Sequence, residues 1–292
     1  MTTLPAAPDS RLQQVIRTVL EVIRIVRTRK LVLLPAAAAA LALSVPAVAS
    51  AGTVTMSGST SIYPLASALA KGCVTGPCKG TIFRILQGGS DVGVNDVARG
   101  RVTFGLSSRD PQASDPGGLV FNRVARDGVC IVTNPANRLA NISRATVQAI
   151  FSGRVRNWSE VPGAKVTGPI QLITRTPASG TADAFQNIFM GQNLRVAGNA
   201  SQKASNGLVQ QGVRSAKTAI AYLDFKFTAG TAATPFNGVP CTLRNAKSGQ
   251  YDGVRNLWFV SRGKPSGDGA KFLGYAKGAG QSIVAKGWVP IR

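Results

Sequence analysis

Three short runs of hydroxyl and glycine residues carry the clearest chemistry in this sequence. They are Gly58-Ser59-Thr60-Ser61, Gly88-Gly89-Ser90 and Ser179-Gly180-Thr181, the last with Arg175 four residues before Ser179. Each stands where a β-branched run gives way to helical spacing. A helix start offers free N–H groups and a partial positive charge. Serine and threonine add hydroxyl donors, and glycine lets the backbone come close to a ligand. One such junction is equally explained by ordinary N-capping. Three in one chain, one with an arginine in reach, point to an oxyanion that is wrapped and not transformed.

The composition argues against catalysis. There is no histidine, which removes serine–histidine and cysteine–histidine pairs and imidazole metal ligands. Only 12 carboxylates stand against 34 lysines and arginines, leaving little for a carboxylate metal site. No Gly-x4-Gly-Lys-Ser/Thr loop is present. A non-enzyme without metal or cofactor is expected. The formal net charge is +22, of which +18 remains after residue 51. Such a field attracts anions in general. The bases are scattered and not interleaved with aromatics, so nucleic acid is not an expected partner. An anionic membrane or cell-wall surface is a further candidate.

Stepping along the chain, strands are predicted over 53–57, 81–86, 102–106, 128–133, 169–174, 219–223 and 256–261. Helices are predicted over 62–71, 91–99, 143–151, 181–190, 206–213 and 268–286, the last broken near Gly278–Gly280, with Ser143 as an N-cap. The opening βαβαβ order implies a parallel sheet covered by helices. The three junctions fall at the carboxyl ends of strands, where open α/β sheets hold ligands.

Residues 1–51 read as a signal peptide or signal anchor. Six bases precede 18 uncharged residues from Leu31 to Val48, and Ala49-Ser50-Ala51 follows, with cleavage expected after Ala51. An exported chain is expected, secreted or held at the cell envelope. No cysteine stands at the cleavage point for a lipid anchor. All four cysteines, Cys73, Cys78, Cys130 and Cys241, lie beyond the signal, and an even count in an exported chain reads as disulfides. Cys73 and Cys78 bracket a short turn. A four-cysteine zinc site would ordinarily need two close pairs, and only one is present.

On these residues the chain resembles the phosphate-binding proteins of phosphate ABC importers. The resemblance runs over about residues 53–290. It rests on Ser57-Gly58-Ser59-Thr60-Ser61-Ile62-Tyr63-Pro64, Gln87-Gly88-Gly89-Ser90-Asp91-Val92-Gly93 and Phe104-Gly105-Leu106-Ser107-Ser108. It rests most specifically on Asn134-Pro135 with Ile150-Phe151-Ser152-Gly153-Arg154 and Asn157-Trp158, and on Arg175-Thr176-Pro177-Ala178-Ser179-Gly180-Thr181. It implies a two-lobed α/β fold of the type 2 periplasmic-binding class, each lobe a mixed sheet flanked by helices, with the ligand cleft between them. It implies lobe I over 53–132 plus 235–292 and lobe II over 133–234. It implies a monomer that hands phosphate to importer membrane subunits. The implied phosphate contacts are Ser59, Thr60, Ser61, Gly89, Ser90, Ser108, Arg175, Ser179, Gly180 and Thr181, with Arg109 and Asp110 as further candidates.

One position departs from the pattern. Ser108 stands where the family carries an aspartate that accepts the proton of hydrogen phosphate, so weaker rejection of sulfate is expected. The resemblance also places Cys130 and Cys241 near the lobe crossings, so Cys73–Cys78 and Cys130–Cys241 are the expected bonds. The rival reading is a membrane- or wall-associated interaction protein that keeps this fold with altered anion specificity.

Overall fold

In a computed structural model describing residues 52–291, the chain opens with β1 (Thr53–Gly58), α1 (Tyr63–Val74), β2 (Ile82–Gln87), α2 (Ser90–Ala98) and β3 (Phe104–Ser107). It continues through β4 (Leu119–Thr133), α3 (Arg144–Phe151), β5 (Gln171–Arg175) and α4 (Gly180–Phe185), which runs on as a π-helical turn over Gln186–Met190. Then come β6 (Ser201–Lys203), α5 (Asn206–Ser215), β7 (Ala219–Asp224), β8 (Ala232–Ala233), α6 (Leu243–Ser248), β9 (Val254–Arg262), α7 (Gly267–Lys277) and α8 (Gln281–Val284). The export segment read over residues 1–51 lies outside the described residues. Among the described residues, no helix is long and apolar enough to cross a membrane.

β1 pairs in parallel with β2 and β3, as the βαβαβ order predicts. α1 starts with Pro64 in its first turn and buries Leu65, Ala66, Leu69, Ala70 and Cys73 on one stripe. That stripe joins Phe104, Phe259 and Phe272 in a first core. A second core gathers Phe151, Trp158, Phe185, Phe189, Tyr222 and Phe236. Ser143 caps α3 as expected, its Oγ accepting from Thr146 N–H at 3.1 Å.

The two cores share one sheet, in the order β2-β1-β3-β9-β4-β7-β5-β6, with β8 against β4. β4 is the common strand. It pairs antiparallel with β9 along Leu119–Gly128 and with β7 along Val129–Thr133. It is far longer than the expected 128–133. A register shift between Arg123 and Ala125 breaks the alternation there, so the first part of the strand lacks a clean period-2 signal. β6, β8 and α6 also went unread, being too short to show a period.

Cys73 is bonded to Cys78 beside the end of α1, and Cys130 of β4 is bonded to Cys241, just ahead of α6. Where β4 meets β9 and β7, three charged side chains are fully or almost fully buried. Asp127 lies opposite Arg255 in the ladder. Arg255 Nη2 is 3.6 Å from Asp127 Oδ2 and 3.4 Å from Asp224 Oδ2. Two carboxylates facing one guanidinium in a dry site cannot both stay ionised cheaply. Burial pushes Asp127 up, to about 8; Asp224 adds to the rise and Arg255 opposes it. Burial raises Asp224 as well, again against the pull of Arg255.

Two predictions follow from this architecture. The Cys130–Cys241 bond spans 111 residues of sequence. Replacing both cysteines with alanine should lower unfolding free energy by about 2–5 kcal/mol in urea titrations, with the Cys73–Cys78 bond intact by peptide mapping. The second concerns acidity. The folded chain holds a proton on Asp127 that the unfolded chain, at an ordinary value of 3.8, releases. This contribution is fully present below 3.8 and is lost as pH rises through about 8. Stability should therefore fall across that window by up to about 1.4 kcal/mol per pH unit for the one proton. No histidine titrates across it. Asp127→Asn imitates the protonated form and should flatten the slope in urea titrations; an unchanged slope refutes the assignment.

Candidate functional site

All three junctions lie at the carboxyl ends of parallel strands: β1, β2 and β5. Their residues meet in one buried seam. Ser59, Thr60, Ser61, Ser90, Ser108, Ser179 and Thr181 are each at most 3% exposed. After β1, Ser59 N–H donates to Leu106 O at 2.8 Å, which folds the loop onto the end of β3. Ser59 Oγ then lies 2.7 Å from Ser108 Oγ. At the start of α2, Ser90 Oγ accepts from Ser108 N–H at 3.0 Å and lies 3.4 Å from Ser108 Oγ. Ser108 is thus the point where the first and second loops join.

The α4 junction comes from the other side of β4. Ser61 Oγ is 2.9 Å from Thr181 Oγ1, and Asp91 N–H donates to Ala178 O at 3.2 Å. Two glycines make the approach this close. Gly89 has φ 102°, and a Cβ there would sit 2.8 Å from Ala178 O. A Cβ on Gly180 would sit 2.7 Å from the Ser108 carbonyl carbon and would also strike Ser90 Oγ. Ser179 turns its own hydroxyl inward, accepting from Thr181 N–H at 3.1 Å and Ala182 N–H at 3.4 Å. It caps α4 in this way, and with both lone pairs taken by those N–H groups its proton is left to be donated.

Arg175 ends β5 and is 3% exposed. Nε donates to Lys203 O at 3.1 Å, Nη2 to Ala204 O at 2.9 Å and Nη1 to Asn206 Oδ1 at 2.6 Å. Tyr222 OH accepts from Arg175 N–H at 3.1 Å and lies 2.6 Å from Thr174 Oγ1, which steadies the strand end. Of its five N–H groups the arginine keeps two unassigned among these bonds. Burial pushes the guanidinium down to about 10, so it is charged at neutral pH.

Arg109 and Asp110 stand apart from the seam. Arg109 donates to Asp91 Oδ1 at 2.7 Å and to both oxygens of Asp115 at 2.6 and 3.0 Å. Its charge is matched by two carboxylates, which takes it out of the role of an anion clamp. Asp110 is exposed and accepts from Asn256 Nδ2 at 2.9 Å and Trp258 Nε1 at 3.0 Å. It does not take the place of the carboxylate absent at Ser108.

Sequence reasoning missed Asn206, Arg255, Asp224 and Asp127. Asn206 binds three parts of the seam. Its Nδ2 donates to Ser61 Oγ at 2.8 Å and to Asp224 Oδ2 at 2.7 Å, and its N–H to Thr60 Oγ1 at 3.4 Å. A signal for it existed: Ser205-Asn206-Gly207 after β6 is a fourth small-residue strand-to-helix junction, with Ser205 capping α5. The other three sit inside apolar strands, and only the pairing of β4 with β7 and β9 brings them together.

The arrangement offers neutral hydroxyls, backbone N–H groups and one buried guanidinium, shielded from water. Among the described residues, no group of three or more Asp, Glu or Cys side chains could hold a metal. The chemistry available is hydrogen bonding to an oxygen-rich anion.

Comparison with known proteins agrees with this geometry. The chain is 28% identical over 248 residues to the phosphate-binding protein PstS of Bacillus subtilis, covering 82% of this chain and 81% of that protein. It is 23% identical over 188 residues to the PstS of Borreliella burgdorferi, covering 60% and 67% respectively. In three dimensions it matches a substrate-binding protein from Clostridium perfringens solved with bound phosphate, at TM-score 0.77 and 27% identity, over 82% of this chain and 100% of that one. It also shares its fold with an ABC-type phosphate transport receptor from Vibrio cholerae, at TM-score 0.65 and 24% identity, over 81% and 99%. The sequence profile of the PBP superfamily domain matches residues 44–279. This two-lobed α/β chain belongs to the PBP superfamily.

Proposed function

We propose that this chain is an extracytoplasmic solute-binding protein that captures phosphate and delivers it to the membrane subunits of an ABC importer. The observation that carries the reading is the buried seam itself. Loops from both sides of β4 present Ser59, Thr60, Ser61, Ser90, Ser108, Gly180 and Thr181 to one point, with Arg175 one hydrogen-bonded residue away through Asn206. The names of the relatives supply the ligand. We assign the lobes as 53–132 plus 235–292 and 133–234, with the end of β4 and the segment that follows β8 as the crossings. Residues 1–51 act as the export segment. The site needs no metal or cofactor and performs no covalent step: it holds no imidazole, and its hydroxyls pair with one another and with donors.

Isothermal titration of the purified chain with phosphate tests this reading directly. Binding is expected, and the absence of heat or of any rise in melting temperature with phosphate would remove it. Sulfate is expected to compete. A serine hydroxyl at 108 can donate or accept, so it serves a protonated or a fully deprotonated anion alike. Failure of sulfate to compete even in large excess would show that another group rejects it.

Arg175→Ala is the second test. Removing one partner of a buried charge pair should weaken phosphate binding by about 30-fold or more. The same side chain ties down Lys203, Ala204 and Asn206, so circular dichroism must show the variant folded at the titration temperature. A folded Arg175→Ala chain with wild-type affinity would exclude the arginine from the site.

A further inference from the structure

We propose that Arg255 is a positioning residue of the anion site, one that fixes the Ser61 hydroxyl as an obligate donor. This deepens the phosphate-binding reading and rests on it. A serine hydroxyl has one proton and two acceptor lone pairs. Arg255 Nη2 donates to Ser61 Oγ at 2.8 Å, and Asn206 Nδ2 donates to the same oxygen at 2.8 Å. The orientation of the Asn206 amide is set by Arg175, which can only donate and therefore faces the amide oxygen, at 2.6 Å. Both lone pairs of Ser61 are thus filled by donors. Its proton is left to be donated, to Thr181 Oγ1 at 2.9 Å, to the Asp224 carboxylate, or to an acceptor oxygen of a ligand that takes the place of either. A hydroxyl free to rotate would present either polarity; this one can only donate.

The arginine is itself fixed. Its side chain is 4% exposed, Nη1 reaches Ser108 O at 3.4 Å, and Asp127 Oδ2 and Asp224 Oδ2 lie 3.6 and 3.4 Å from Nη2. Nε has no partner. β9 therefore delivers a guanidinium to the back of the β1 loop and to Ser108, joining β4 to one of the three anion junctions and to the serine that links it to the second. The fork geometry matters here as much as the charge, because a lysine ammonium carries no rigid second arm.

The experiment is a set of phosphate titrations on the full chain, comparing wild type, Arg255→Lys, Ser61→Ala and the double variant. Arg255→Lys keeps the positive charge and loses the fork, and should weaken phosphate binding by about tenfold. In the Ser61→Ala background the same change should have little further effect, because the hydroxyl through which Arg255 acts is gone. A merely structural arginine would lower the melting temperature and leave this non-additivity absent. Circular dichroism screens each protein, and Arg255→Gln enters the same comparison in place of any lysine variant that does not fold. Wild-type chain that binds phosphate while Arg255→Lys stays within about twofold of it overturns the inference and leaves the phosphate reading standing. Equal losses in both backgrounds overturn it too. Wild-type chain that binds no phosphate fails the reading itself.

Discussion

A seam of buried hydroxyls is stable only if every proton and lone pair in it has somewhere to go, since each unmatched polar atom away from water costs about 1–3 kcal/mol. That constraint organises this molecule. Ser59 answers Ser108, Ser108 answers Ser90, and Ser61 answers Thr181, Asn206 and Arg255. The contacts from Ser90 to Thr181 draw on the ends of four strands, with the β1 loop supplying both Ser59 and Ser61. The seam therefore exists only where the carboxyl ends of β1, β2 and β3 face that of β5, which runs the opposite way through the sheet, and where the glycines at 89 and 180 let the loops touch. The two aromatic cores hold the two sets of strand ends in place.

The charges obey the same economy of water. Among the described residues most of the charge lies on the surface, but the buried bases are individually matched. Arg109 has Asp91 and Asp115, Arg255 has Asp127 and Asp224, and Arg175 has three neutral acceptors and no carboxylate in contact. Arg175 is thus the buried guanidinium whose charge remains uncompensated by a direct ion pair. An anion in the cleft would meet that charge while the paired ones stay neutral overall. The distinction between Arg175 and Arg109 is invisible in composition and plain in their partners.

Local features were legible in the sequence. The βαβαβ opening, the three junctions, the Ser143 cap and the break at Gly278–Gly280 all depend on residues within a few positions of one another. The first loop, the second loop and α4 indeed come together. What escaped depends on pairing between distant strands. Arg255 sits in Val254–Arg262, whose pattern reads as an ordinary strand, and nothing nearby announces that Asp127 and Asp224 will face it. Arg109 shows the reverse. It has the right chemistry for an anion contact, yet its guanidinium is claimed by carboxylates six and eighteen residues away. Asn206 lies between these cases, because its Ser-Asn-Gly setting carried the same signal as the junctions that were read.

The register shift in β4 has a consequence for phase. In a strand, side chains alternate between faces, and an extra residue reverses the alternation beyond it. Arg123 lies opposite Trp258 and is exposed, whereas Ala125 lies opposite Leu257 and is buried. Val124 is the residue the bulge absorbs. Were it taken up as a regular position of the ladder, Asp127 would point to the same side as Arg123, and Arg126 would stand opposite Arg255 in its place. One residue of frame in β4 thus decides whether an acid or a base faces Arg255. Flattening the bulge with Val124 in place would set two like charges against each other in a buried site, whereas deleting Val124 together with the bulge would leave Asp127 opposite Arg255.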